Sequence, residues 1–168
     1  MDRKVSEIRG LTLMFALQKT RVLALSQGLK ITTLGEVKME IWTENLVDAT
    51  ALKAIYGQDM PSLEGINLHG IDIQRDGPRV LLRFDLREFP KQPPKKWESS
   101  GFNRVQLRLL AVGVSELQIN GLQSNCILDL NITEEKGTIR LSADSGAMKI
   151  DIAAEHLIID GVSAYCDE

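Results

Sequence analysis

Residues 66–86, INLHGIDIQRDGPRVLLRFDL, contain the clearest structural pattern in the chain. Apolar residues alternate with polar ones on both sides of Asp76-Gly77, a dipeptide that supplies the backbone angles of a tight turn. An irregularity near Gly70 indicates a β-bulge, which would restore the inward face of the first strand. Pro78 fits the first position of the returning strand. The apolar positions are Ile66, Leu68, Ile71 and Ile73, then Val80, Leu82, Phe84 and Leu86. The stretch therefore predicts a β-hairpin.

Alternating runs continue downstream of this hairpin as far as Tyr165. They predict seven or eight short strands at regular spacing without intervening helices, the pattern of a largely antiparallel sheet or sandwich. Upstream, apolar residues from Leu46 to Tyr56 follow a helical spacing, which Gly57 ends and Pro61 cannot continue. The fold class is thus predicted to be α+β and predominantly β, with one short helix before the sheet and an N-terminal helical appendage.

Charge divides the chain into two parts. The 168 residues carry a formal charge of −3. Residues 1–38 contain seven Lys/Arg and three Asp/Glu, a net +4, and residues 39–168 contain thirteen and twenty, a net −7. Helical spacing from Val5 to Leu25 predicts an amphipathic helix in the basic part. We predict two segments: a basic helical appendage at 1–38, dispensable for function, and a β-rich domain at 41–166.

Motifs that carry chemistry are missing from the sequence. His69 and His156 are the only histidines and stand in no metal-ligand spacing, and Cys126 and Cys166 form no Cys-x-x-Cys. We find no nucleophile elbow and no phosphate-binding loop. The prediction is a protein that is not an enzyme, with no catalytic, cofactor-binding or metal site. A hydrolase that uses His69 or His156 stays open as a hypothesis, because the catalytic partners of a histidine meet it in space rather than in sequence.

The compartment is predicted to be the cytoplasm, with no membrane segment. The apolar run 11–17 faintly resembles a signal peptide, but Gln18 and Lys19 follow it without a small-residue cleavage site. No stretch approaches the roughly 20 apolar residues of a membrane helix. The acidic balance also argues against a nucleic-acid partner. Residues 91–97 join three lysines to Trp97; they form either a binding loop or a proline-stiffened loop whose ring packs on the sheet.

Three groups of short sequence segments, which we call phrases, follow one another along the chain and are more specific for a protein family than these spacings. The first is Tyr56-Gly57 with Pro61–Ile66 and Leu68-His69, and the second is Arg75–Pro78 with Leu82–Leu86. The third is Phe89-Pro90 with Pro93–Trp97, Gly101–Asn103 and Val105–Leu107. Gly113-Val114 with Leu117 and the closing Val162–Tyr165 extend the likeness. Over residues 41–166 the chain resembles the immunity protein 50 family of bacterial polymorphic toxin systems.

The resemblance implies an immunity protein, or antitoxin, that binds and neutralises a cognate toxin by direct contact. It needs no catalytic group, and the net −7 would steer it toward a basic toxin. The alternative is a peptide- or ligand-binding β domain without an immunity role. As the toxin interface we predict the irregular loop around Trp97 and Phe102, joined by the acidic residues Glu64, Asp72 and Asp85 at the edge of the sheet. The sequence leaves the toxin's identity, the stoichiometry and the oligomeric state open.

Overall fold

The chain divides into two compact units, residues 1–40 and 41–168. The computed structural model describes residues 29–31, 37–39 and 42–167. In the first unit, strand β1 (Leu29–Ile31) pairs antiparallel with β2 (Val37–Met39). The helix predicted from Val5 to Leu25 lies outside the described residues.

The second unit is an α+β fold built mainly of strands, which confirms the predicted fold class. A 3-10 helix (Trp42–Asn45) and helix α1 (Thr50–Tyr56) precede the sheet, and helix α2 (Lys95–Ser99) lies in the proline-rich segment. The eight strands are β3 (Ile66–Gln74), β4 (Arg79–Leu86), β5 (Arg104–Val112), β6 (Glu116–Asn120), β7 (Ile127–Glu135), β8 (Thr138–Asp144), β9 (Lys149–Ala154) and β10 (His156–Tyr165). They form one antiparallel sheet in the order β10-β5-β4-β3-β7-β8-β9-β6.

The predicted hairpin is the β3–β4 pair. Its register shifts between Leu68 and Gly70, so the bulge lies where the sequence indicated it. Asp76-Gly77 lies in the middle of the turn, which covers residues 75–78, and Gly77 has a φ of +66°. Pro78 lies in this turn rather than at the first position of the returning strand, because β4 begins at Arg79. Because the bulge inserts one extra residue, His69, the apolar residues on both sides of it keep facing inward.

The sheet consists of two four-stranded halves joined at two places. Strands β3 and β7 pair only at Ile66 and Asn67. At the other junction, residues 113–115 connect β5 to β6, and Glu155 connects β9 to β10. The two connections lie side by side, because β10 pairs with β5 and β9 pairs with β6. The Ser115 N–H donates to Ala153 O, and the Glu155 N–H donates to Val112 O. Strands that pass from one half to the other in this way let both halves share one core.

The core is a single apolar cluster that draws on both halves of the sheet and on α1. Leu52 and Tyr56 of α1 are buried in it, and the Tyr56 hydroxyl donates to Glu88 O at 2.9 Å. Each fully buried Leu, Ile or Phe contributes roughly 1.5–3 kcal/mol relative to exposure. Cys126 is buried in this cluster and Cys166 is exposed, and both are free thiols. Among the described residues, no helix is long and apolar enough to cross a bilayer.

Candidate functional site

A buried carboxylate anchors a polar network on the outer face of β10, β5, β4 and β3. Asp85 of β4 is only 5% exposed. The Gln106 Nε2 donates to its Oδ1 at 3.2 Å, and the Tyr165 hydroxyl donates to its Oδ2 at 2.5 Å. The His69 Nε2 lies 2.7 Å from the same Oδ2. When the carboxylate is ionised it only accepts, so the imidazole donates to it in the tautomer that carries a proton on Nε2. Three strands thus supply donors to one carboxylate, which offsets the cost of burying its charge.

The register of the sheet explains why these side chains meet. Asp85 stands opposite Gln106 on β5 and opposite Asn67 on β3. His69 reaches the outer face because it is the extra residue of the β3 bulge. The hydrogen bond to Asp85 raises the pKa of Tyr165 to about 12, since ionisation would place a phenolate against the carboxylate.

A second bulge lies on the opposite side of the central β4–β5 pair. The β10 register shifts between Ile159 and Gly161, which makes Asp160 the extra residue. Its carboxylate pairs with Arg108 Nη2 at 2.5 Å. Arg108 also lies against Gly161, where an added Cβ would stand 3.2 Å from Nε. Both bulges therefore place a titratable side chain over the outer face, one bound to a carboxylate and the other to a guanidinium.

The contacts of the two histidines do not assemble a hydrolase site. His69 is bound to an acid, but within the part of the chain that the structure describes it has no hydrogen bond to a serine or cysteine. His156 is exposed at the start of β10. Among the described residues, no three His, Cys, Asp or Glu side chains are placed to hold a metal ion. The hydrolase hypothesis gains no support from this geometry.

An apolar cleft opens along the edge of β3 that faces away from β4, where the two halves of the sheet separate. Its volume is about 590 Å³, and we name it the β3 cleft. Two of its apolar side chains are unusually exposed, Ile73 at 58% and Leu122 at 81%. Its lining residues are Leu68, His69, Gly70, Ile71, Ile73, Ile119, Gly121, Leu122, Gln123, Cys126 and Met148. The cleft thus joins the outer end of β3 to the loop that follows β6.

Comparison with known proteins identifies the family. The family model described as Immunity protein 50 matches residues 48–165, well over half of the chain. The chain belongs to the immunity protein 50 family. No curated protein matches it, and neither does any solved structure. The matched segment begins just before α1 and ends at Tyr165, so it contains the whole eight-stranded sheet and the complete polar network of Asp85.

Within the family segment, the predicted aromatic interface residues belong to one short region. Trp97 of α2 is half-buried, and its ring centroid lies 6.3 Å from that of Phe89. The Phe102 N–H donates to Trp97 O at 3.0 Å, and its side chain is also half-buried. The Trp97 ring packs against the core and is still partly accessible. The segment is therefore compatible both with a loop whose ring packs on the sheet and with a binding loop.

The three acidic residues differ in setting. Glu64 and Asp72 are exposed, whereas Asp85 lies in the interior of the sheet rather than at an edge. A direct contact between Asp85 and a partner would require access through its neighbours. One such route is a cleft of about 340 Å³ beside it, which Asn67, Arg104 and the exposed Ile127 help to line.

Sequence reasoning missed Gln106 and Tyr165 as partners of Asp85. In an alternating strand, Asp85 looks like an ordinary solvated residue between two core positions. A signal was nevertheless present, because His69, Asp85, Gln106 and Tyr165 all lie in the phrases that carry the family resemblance. The network brings these four residues of the chain together around one buried carboxylate.

Proposed function

We propose that this chain is an immunity protein that binds a cognate toxin and neutralises it by direct protein–protein contact. The observation that carries the proposal is the family match, which spans α1 and every strand of the large sheet. We also place it in the bacterial cytoplasm, where a toxin would threaten its own producer. In this mechanism the chain acts by occupying the toxin's surface and catalyses nothing.

A rigid sheet suits this task because its surface is ordered before binding, which limits the entropy lost on association. The proposed contacts are aromatic anchors at Trp97 and Phe102 with the acidic residues Glu64, Asp72 and Asp85. Aromatic side chains are enriched at protein interfaces, and these two are half-buried, so part of each ring is accessible to a partner. The net −7 of residues 39–168 favours a basic toxin and would accelerate encounter at low salt.

The test is co-expression with the C-terminal module of a polymorphic toxin, sought among the genes next to this one. We expect cells to die when the module is expressed alone and to survive when this chain is present. Copurification of the two proteins, with an association rate that falls as salt rises, would support direct contact and electrostatic steering. Equal death with and without the chain would contradict the proposal for that pair. Repeated capture of one non-toxin partner would favour the peptide- or ligand-binding alternative.

A further inference from the structure

The edge of β3 beyond Leu68 is open. Pairing with β7 ends at Asn67, and the last contact is the Leu68 N–H donating to Cys126 O at 2.8 Å. Within residues 29–31, 37–39 and 42–167, no strand pairs with residues 70–74 on this side. An open strand edge presents backbone donors and acceptors to any extended segment that approaches it.

The β3 cleft lies directly beside this edge. Ile71 and Ile73 line it from β3, and Ile119, Leu122 and Met148 line it from the other half of the sheet. None of the lining residues is Lys, Arg, Asp or Glu. An open edge combined with an apolar trough is the arrangement used for strand addition, where the backbone gives affinity and alternate side chains enter pockets.

Charge distinguishes between two occupants of this edge. Asp72 is exposed between Ile71 and Ile73, and it makes no ion pair with another described residue. Antiparallel pairing of two copies about Asp72 would set one carboxylate opposite the other, which is destabilising. A strand with Lys or Arg at that position would be complementary instead. The charge of Asp72 therefore disfavours pairing of two copies in this register and favours a partner strand that carries a basic residue there.

We infer that the β3 cleft receives an extended segment of the cognate toxin, which adds to the open edge of β3. The segment places Lys or Arg opposite Asp72, and its two neighbouring apolar side chains enter the cleft toward Ile73 and Leu122. Residues 70–74 offer about 17 Å of edge, enough for five residues of partner strand. This inference rests on the proposed function and adds the β3 cleft to the contacts proposed there, with Asp72 common to both.

The test measures binding of full-length variants to the toxin module against which the wild-type chain protects. Ile73→Lys and Leu122→Lys place a charge in the cleft and are expected to weaken binding by at least about tenfold. Asp72→Lys should weaken it similarly through charge reversal. Val47→Lys is the matched control, since Val47 is 65% exposed and lies outside the cleft lining, and its affinity should be unchanged. Because Asp72, Ile73 and Leu122 are already exposed, we expect melting temperatures close to wild type.

Hydrogen exchange provides a second readout that does not depend on substitutions. Binding of the toxin module should slow exchange of the amides in residues 70–74. Normal binding by all three variants, with exchange there unchanged, would overturn the inference and leave the immunity function standing. Failure of the wild-type chain to bind or protect would remove the proposed function itself. Protection of 70–74 in a wild-type dimer without toxin would identify a second copy as the occupant and overturn the toxin assignment.

Discussion

At the scale of single residues, Asp85 holds three strands together through its side-chain contacts. An asparagine at this position replaces one of the two oxygens that accept from His69, Gln106 and Tyr165 with an amide nitrogen that donates, so at least one of these hydrogen bonds is lost or must reverse. We therefore expect Asp85→Asn to lower the free energy of unfolding by about 1–3 kcal/mol, measured by urea denaturation. Asp72→Asn is the matched control, and a change within about 0.5 kcal/mol is expected at this exposed position. Equal losses for the two variants would contradict a special role for Asp85.

Tyr165 makes the free energy of unfolding depend on pH in the alkaline range. Its folded-state pKa of about 12 lies above the pKa of about 10 of a free tyrosine, so the fold favours the protonated hydroxyl. This contribution is complete below pH 10 and is lost as pH rises through 12. Tyr56 contributes with the same sign, since burial raises its pKa as well. We expect Tyr165→Phe to lose stability less steeply than wild type above pH 10 in urea titrations. Parallel curves would show that the hydroxyl of Tyr165 does not carry the effect.

At the scale of elements, glycine turns decide where strands end. Gly121 has a φ of +71°, and a Cβ there would stand 2.0 Å from Ala147 O. Gly137 has a φ of +81° in open space, which makes it a matched control. We expect Gly137→Ala to cost about 1 kcal/mol from its backbone angle alone and Gly121→Ala to cost more than about 2 kcal/mol. Chemical unfolding of both variants would measure the difference, and equal costs would show that the backbone near Ala147 yields easily.

Elements built from local patterns could be predicted from the sequence, whereas those built from long-range pairing could not. The β3–β4 hairpin was predictable with its turn and bulge, because alternation and Asp76-Gly77 act within 21 residues. The pairing of β5 with β10 was not, since it joins segments about 50 residues apart through side-chain packing that leaves no local pattern. The Asp85 network depends on that long-range register and on a bulge that turns His69 outward, so its members looked like separate surface residues. Helix α2 was missed because Pro93-Pro94 indicated a loop.

At the scale of the whole molecule, the division of charge coincides closely with the division of structure. Along the chain, the boundary between the two units lies between residues 40 and 41, and the family segment begins at residue 48. The basic part therefore lies outside the segment that defines the family. Removing it would change the formal charge from −3 to −7, which should strengthen electrostatic steering toward a basic toxin.

A chain that begins at Met39 tests this division. The cut removes β1 and most of β2, which pair with each other in the first unit, and leaves every strand of the large sheet. We expect its melting temperature to fall by less than about 4 °C, equivalent to roughly 1 kcal/mol or less for a domain of this size. We also expect full protection in co-expression and a toxin association rate that is faster at low salt and equal at high salt. A large loss of melting temperature would show instead that residues 1–38 contribute to the core, because only buried contacts could account for it.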